Sequence, residues 1–146
     1  MRMKKLLLLF LLLPLTAKAD YWVQKANVGG LNRADATGFS INGKGYMGTG
    51  YSGTYQSDWW EYDPATDSWT QKASYPGGGI VEAVSFAIGA YGYVVASPAS
   101  NDVYRYDPAS NTWTAMAPFP GGTRQAAVAF TINNKGYVCT GMGFGL

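Results

Sequence analysis

The sequence contains no histidine and only one cysteine, Cys139, and these two shortages exclude much catalytic chemistry. Without histidine the chain holds no Ser-His-Asp triad, no Cys-His nucleophile pair and no histidine-ligated metal. A single cysteine excludes an intrachain disulfide and a zinc site built from clustered cysteines. We therefore expect no catalytic set, no metal and no cofactor within this chain.

Charged residues are also scarce, whereas glycine and aromatic residues are abundant. Charged residues make up 14 % of the 146 residues, against about a quarter in an average domain. The chain has 19 glycines, and aromatic residues make up a further 15 %. Aromatic residues favour strands and glycine favours tight turns. The composition therefore predicts an all-β protein with many turns.

Residues 1–19 have the pattern of a secretory signal peptide. A basic start is followed by the apolar run Leu6–Leu15, and Ala17 and Ala19 supply the small-x-small cleavage site. The run is too short to cross a bilayer, which needs about 20 residues. We expect an exported protein, periplasmic or extracellular, with no integral membrane segment after cleavage. An uncleaved anchor stays an alternative.

The positive charge of the chain belongs to this leader. The whole sequence has a formal net charge of +2, but the chain after Ala19 keeps seven basic residues against nine acidic ones. No basic run follows the leader, and nucleic-acid binding depends on clustered Lys and Arg. We therefore expect no nucleic-acid partner.

Three tryptophans mark an internal repeat in the remaining chain. Trp22, Trp69 and Trp113 stand 47 and 44 residues apart, and each opens a similar phrase. Other residues follow the same spacing: Gly45/Gly92/Gly136, Tyr46/Tyr93/Tyr137, Phe39/Phe86/Phe130 and Ile41/Ile88/Ile132. A period of this length made of short strands is typical of propeller blades.

Each repeat unit predicts four short strands. The first alternates bulky with small residues over Asp35–Ile41, Glu82–Ile88 or Ala126–Ile132. Turn residues follow at Asn42-Gly43, Gly89-Ala90 or Asn133-Asn134. The second strand covers Gly45–Gly50, Gly92–Ser97 or Gly136–Gly141. The third covers Asp58–Tyr62 or Asp102–Tyr106, and the fourth begins at Trp69 or Trp113.

The pattern resembles the kelch repeat, in the form seen in secreted bacterial kelch proteins and in galactose-oxidase-like central propellers. The resemblance rests on Tyr46–Gly50, Asp102–Asp107 and the spaced tryptophans, and it covers residues 21–146. One departure stands out: the Gly-Gly pair usual after the tyrosine is replaced by Thr49-Gly50, Ala96-Ser97 and Thr140-Gly141. The resemblance implies a β-propeller of four-stranded blades.

The chain is expected to form an incomplete propeller over residues 20–146, about two and a half blades. The predicted units are 27–73, 74–117 and a partial unit 118–146, with 21–26 as an orphan outer strand. A closed propeller needs about four to eight blades. Ring closure therefore requires self-association or further C-terminal blades, and a stable monomer of three units is a third alternative.

Comparison of the repeats predicts which face carries function. The three-residue difference between the two spacings falls between Tyr46 and Asp58, in the loop joining the second and third strands. The segments leading into each first strand share that face. Function usually lies on variable loops over a rigid scaffold. The candidate ligand-binding residues there are Arg33, Asp35, Tyr51, Tyr55, Glu82 and Arg124.

The resemblance also suggests roles for these residues. In kelch propellers, an arginine ahead of the inner strand commonly points to the central mouth, so Arg33 and Arg124 are candidates to bind acidic or hydroxylated ligands. Equally, they pair with Asp35 or Glu82 or stand in solvent. Tyr51 and Tyr55 offer rings for stacking on a sugar, or else cover the blade edge.

The leading hypothesis is an exported binding module, part of a longer propeller, that recognises a carbohydrate or a protein. Because this chain holds no catalytic set, the sequence leans against an enzyme and leaves that question open. The alternative is a piece of a sugar-active kelch enzyme, such as a sialic-acid mutarotase-like protein. A galactose oxidase would need histidine ligands that this chain lacks. A remnant of a truncated gene is a third possibility. Cys139 is expected to be a small buried hydrophobic residue.

Overall fold

In a computed structural model, which describes residues 21–95 and 97–143, all regular elements are strands. The predicted signal peptide lies outside the described residues. The ten strands are β1 Thr37–Ile41, β2 Lys44–Gly48, β3 Trp59–Asp63, β4 Ser68–Lys72, β5 Val84–Ile88, β6 Tyr91–Val95, β7 Val103–Asp107, β8 Thr112–Ala115, β9 Arg124–Ile132 and β10 Lys135–Gly143.

The strands form three antiparallel sheets that follow the repeat. The first sheet is β1-β2-β3-β4, the second is β5-β6-β7-β8, and the third is the hairpin β9-β10. Hairpin turns fall at the predicted places, and Asn42, Gly89 and Asn133 there have positive φ. The all-β class and the partial propeller of about two and a half blades are confirmed.

The sheets stack through their first strands, so that β1 contacts β5 and β5 contacts β9. Aromatic residues fill the space between the first two sheets. Trp59 is fully buried, and its ring centroid lies 5.1 Å from that of Trp113 and 6.3 Å from that of Tyr106. Burial of such rings is the main source of stability for this layer.

In each of the first two sheets, a pair of hydrogen bonds, which we call a clasp, joins the outer strand to the chain before that sheet. The Trp113 indole donates to the Ala73 carbonyl at 2.8 Å, and the Ala73 amide donates to Asn111 at 2.9 Å. The Trp69 indole and Asp67 hold Ala26 in the same way, at 2.9 and 3.1 Å. Each clasp satisfies both backbone groups of one alanine.

Residues 21–26, expected as an orphan outer strand, form no strand here. A strand needs a neighbour to accept and donate its ladder bonds, and no described strand pairs with this segment. Only its end is held, through the clasp at Ala26. The position of Ala26 still matches that of Ala73, which directly follows the outer strand β4.

The third sheet leaves one of its faces uncovered. Val128, Phe130, Ile132, Tyr137 and Cys139 are all exposed there. We call these five residues the end face. The expectation that Cys139 is buried is therefore wrong. The side chain does lie on an inner strand, but among the described residues no further sheet packs over it.

Candidate functional site

Three loops meet on one face of the stack, which we call the loop face. They are residues 49–58 between β2 and β3, residues 73–83 between β4 and β5, and residues 97–102 before β7. The Gly50 amide donates to the Ile80 carbonyl at 2.8 Å, and the Ile80 amide donates to the Gln56 carbonyl at 3.3 Å. These bonds hold together loops that belong to two neighbouring sheets.

A small cavity of about 180 Å³ opens between the three loops. Most of its surface is apolar, and Ser97 contributes a hydroxyl that already accepts bonds from the Ala99 and Ser100 amides. The lining residues are Tyr55, Gly79, Ile80, Val81, Ser97, Pro98 and Ala99. A concave apolar wall with few polar groups is the usual form of a ligand site.

Two exposed tyrosines stand on the longest of these loops. The Tyr51 and Tyr55 rings meet edge to face at 5.7 Å, and 64 % of Tyr55 is exposed. Tyr51 exchanges two 2.9 Å backbone hydrogen bonds with Ala34, which fixes the loop against the chain entering β1. The structure therefore presents two aromatic rings on an anchored loop, and Tyr55 lines the cavity.

Arg33 lies on the same side of the sheet, but its guanidinium already forms hydrogen bonds within the protein. Its guanidinium donates to both carboxylate oxygens of Asp58, at 2.6 Å for one of them, and to the Thr49 carbonyl at 3.0 Å. Only 3 % of the arginine side chain is exposed. Hydrogen bonds from Arg33 hold the pKa of Asp58 below its usual value, with help from the Trp60 indole. Arg33 pairs with neither Asp35 nor Glu82.

Arg124 repeats part of this arrangement in the third sheet. Its guanidinium donates to the Thr140 carbonyl at 2.8 Å, as Arg33 does to Thr49, and lies 5.8 Å from the centre of the Phe119 ring. No carboxylate joins it among the described residues. The structure thus ties each arginine to the backbone of its own sheet.

Asp35 and Glu82 occupy a repeated backbone position rather than a shared pocket. Their φ angles are 56° and 54°, and the equivalent Ala126 has 52°. The Glu82 amide donates to the Asp35 carbonyl at 3.2 Å. Non-glycine residues seldom adopt this left-handed conformation. Its recurrence at the same point indicates a structural bend ahead of each inner strand.

A charged cluster on the opposite face was not flagged by the sequence. Glu61 accepts hydrogen bonds from Tyr46 at 2.7 Å and from Lys44 at 3.0 Å, and Lys72 lies 3.4 Å away. Burial alone would raise the pKa of Glu61, but these three donors outweigh it and lower that pKa. Tyr46 and Glu61 face each other across β2 and β3, and Lys44 lies two residues before Tyr46 on the same side of β2. Alternation along two paired strands was therefore the signal available.

The comparisons with known proteins agree with this architecture. A family model described as the Kelch motif matches residues 90–120, which span β6 to β8. The solved structure of YjhT matches with a TM-score of 0.69 and 28 % sequence identity, over 78 % of this chain. The chain carries a kelch motif on a partial β-propeller fold. A comparison with curated protein sequences gives no match.

The chain covers only 35 % of the YjhT chain. Within residues 21–95 and 97–143, no helix is long and apolar enough to cross a membrane. The same residues bring together no group of three acidic, cysteine or histidine side chains suited to a metal ion. The loop-face cavity, which Tyr55 lines, and the Glu61 cluster are two candidate recognition features among the described residues.

Proposed function

We propose that this kelch chain is an exported binding module that holds a carbohydrate at the loop face, with Tyr55 at the contact point. The observation that carries the proposal is the cavity that Tyr55 lines between loops of two adjacent sheets. Export is proposed from the sequence of residues 1–19. A protein ligand would use the same loops but would need a much larger contact area.

The chemistry of the cavity favours a sugar over a charged ligand. The apolar face of a sugar ring packs on an aromatic ring, while backbone N–H and C=O groups of the loops can form hydrogen bonds with the sugar hydroxyls. The Arg33 guanidinium has no free pair of N–H donors for a ligand carboxylate, because it already donates to Asp58 and to two backbone carbonyls. A cavity of about 180 Å³ is of a size to take one sugar unit. One small contact of this kind gives an affinity of roughly 1 mM.

Saturation-transfer NMR suits so weak an interaction. The full chain is mixed with a panel of neutral, N-acetylated and acidic monosaccharides. We expect signal transfer to a neutral or N-acetylated sugar, and its loss in the Tyr55→Ala variant. The Tyr21→Ala variant is the matched control, because Tyr21 is equally exposed but lies outside the cavity. Equal transfer in the two variants would overturn the proposed site.

The enzymatic alternative gains no support from the candidate residues. Acid–base work on a sugar needs groups free to exchange protons. Asp58 is paired with Arg33, and Asp35 and Glu82 lie on successive bends of the backbone. The same NMR spectra report the rate of sugar anomerisation. A rate above that of buffer would favour the enzyme and contradict a role in binding alone.

A further inference from the structure

A second cavity opens on the face opposite the loop face, between the turns of the first two sheets, and we call it the turn cavity. Its volume is about 290 Å³, close to the lower end of the range of small-molecule sites, about 300–1,000 Å³. Both walls belong to four-stranded sheets that the chain itself supplies. The first sheet contributes Lys44, Tyr46 and Glu61, and turns of the second sheet contribute Ala90, Pro108 and Ala109.

The wall from the first sheet is polar and held in place by its own hydrogen bonds. Lys44 donates to one oxygen of Glu61 at 3.0 Å, and Tyr46 donates to the other at 2.7 Å. The Glu61 side chain is 11 % exposed, whereas Lys44 is 39 % exposed. The ammonium has three N–H donors, and those directed at Glu61 and Asp63 leave one for a ligand. The Glu61 oxygen beside Lys44 likewise keeps a lone pair.

Comparison of the repeat units shows that the scaffold does not need this polar wall. Three of its charged side chains have different residues at the equivalent positions of the second unit: Lys44, Glu61 and Lys72 correspond to Tyr91, Arg105 and Met116. The second sheet forms with the same strand order. Partial burial of charged groups costs free energy, so a network that the fold can do without points to recognition.

The charges of the polar wall favour a neutral ligand. Two ammonium groups, of Lys44 and Lys72, offset the two carboxylates of Glu61 and Asp63 at distances of 3.0 to 3.4 Å. A cation would meet the exposed Lys44, and an anion would meet Glu61 beside it. A hydroxyl group both donates and accepts, so adjacent hydroxyls suit a wall that offers one donor next to one acceptor.

The wall from the second sheet suits the apolar face of a ring. Ala90, Pro108 and Ala109 present methyl and methylene groups there. Asp107 also lines the cavity, but its carboxylate accepts the Ala109 amide at 2.9 Å within its own turn. The turn cavity therefore has one polar wall and one mainly apolar wall, which matches the two-sided character of a sugar ring.

We propose that the turn cavity binds a neutral sugar, with two adjacent hydroxyls of the ring on Lys44 and Glu61. One hydroxyl accepts a hydrogen bond from the Lys44 ammonium, and its neighbour donates to the Glu61 carboxylate. The apolar face of the ring lies against Pro108 and Ala109. This site goes beyond the proposed function, because it shares no residue with the loop-face cavity.

Two-dimensional NMR of the ¹⁵N-labelled full chain tests both cavities separately. The probes are the methyl pyranosides of glucose, galactose and mannose. We expect at least one of them to shift the amides of Ala90 and Ala109 in a saturable way, with a dissociation constant of about 1 mM. Amides of Gly79 and Ala99 report the loop face. Tyr55→Ala should remove only the loop-face shifts, so either site can fail without the other.

A matched pair of lysine variants tests the polar wall. Lys44→Met keeps the length of the side chain and removes the donor, so we expect binding at the turn cavity to weaken about tenfold. Lys72→Met is the control, because it also takes an ammonium from Glu61 but does not line the cavity. It should bind the sugar as the wild type does. Equal weakening in both variants would contradict direct contact with Lys44.

A second matched pair tests the apolar wall and does not disturb the charges. Ala109→Leu narrows the cavity and should abolish the shift at Ala90. Ala65→Leu is the control, since Ala65 occupies the equivalent turn of the first sheet, and both amides donate to the aspartate of their turn at 2.9 Å. The dispersion of the same spectra shows that each variant is folded. Sugar binding that persists in Ala109→Leu would overturn the proposal.

The choice of a neutral ligand is tested with charged probes. Methylammonium chloride and sodium acetate are titrated under the same conditions as the pyranosides. We expect both to bind more weakly than the best sugar. Tighter binding of either ion at the turn cavity would overturn the proposal, and so would the absence of a shift at Ala90 and Ala109 with every pyranoside.

Discussion

The Arg33 guanidinium donates hydrogen bonds from two of its nitrogens to the two Asp58 carboxylate oxygens, and so joins the chain before β1 to the start of β3. A third bond from the arginine reaches the Thr49 carbonyl at the end of β2. One side chain therefore ties three successive parts of the first sheet together. In the second sheet the equivalent position is Ile80, which is buried among apolar residues. The two sheets are thus fastened by different chemistry at the same place.

The first prediction concerns this ion pair. Asp58→Asn should lower the free energy of unfolding by about 3 kcal/mol, because it leaves a buried guanidinium without its counter-charge. Asp102→Asn is the matched control, since Asp102 is equivalent in sequence but is exposed and forms no ion pair among the described residues. Its effect should stay within about 0.5 kcal/mol. Urea unfolding followed by tryptophan fluorescence measures both, and equal losses would contradict the assigned role.

The second prediction concerns the stability of the folded chain at low pH. Arg33 lowers the pKa of Asp58 in the folded chain below its value of 3.8 in the unfolded chain. The unfolded state then binds more protons at low pH, so stability from this pair is complete above about pH 4 and is lost as pH falls below it. Urea midpoints between pH 6 and 3 should show this fall. The fall should be shallower in Asp58→Asn and unchanged in Asp102→Asn.

The third prediction concerns Gly92 in β6, over which the Phe39 ring of the first sheet lies. Gly92→Ala should destabilise the chain by about 1–3 kcal/mol, because its methyl group would enter the Phe39 ring. Gly45→Ala has the same chemistry and an open site, so it should be neutral or slightly stabilising. Thermal unfolding by circular dichroism compares the two. A loss in Gly45→Ala as large as that in Gly92→Ala would show that backbone freedom, not packing, selects glycine.

The fourth prediction concerns the two clasps. Trp113→Phe keeps a ring but loses the indole bond to Ala73, and it disturbs packing on Trp59. We expect a loss of about 1–3 kcal/mol. Trp69→Phe breaks the equivalent bond to Ala26, which anchors only an exposed segment.

Trp69→Phe should therefore barely change the midpoint of global unfolding, yet it should speed hydrogen exchange at the Ala26 amide. Mass spectrometry of residues 21–26 reads that exchange directly. A large change in the midpoint, with exchange at Ala26 unaffected, would contradict the division of roles between the two clasps.

Much of the fold was predictable because equivalent segments of the repeat units can be compared with one another. Apart from the outer strand expected over residues 21–26, every predicted strand lies within two residues of an observed one, and the extra residues of the first unit fall in loop 49–58 as expected. Spacing alone sufficed, since equivalent residues in stacked sheets take equivalent positions. Even the bends ahead of the inner strands recur at equal intervals, at Asp35, Glu82 and Ala126.

The same comparison could not find contacts that break the repeat. Aligning Arg33 with Arg124 suggested a shared role, whereas the partner of Arg33 is Asp58, within its own unit. Such pairs depend on distances across a sheet, which repeat spacing does not encode. Cys139 was misplaced for a related reason. Its strand follows the pattern of a buried one, but burial also depends on whether another sheet lies on top.

The pairing of Phe39 with Gly92, and of Phe86 with Gly136, also bears on how such a chain changes its length in evolution. Excision of one whole unit between equivalent points would bring Phe39 against Gly136 and restore the boundary. A gain or loss of an odd number of residues inside a strand would turn the following side chains to the wrong face. Duplication and deletion by complete units are therefore tolerated, and odd-sized changes are confined to loops such as 49–58.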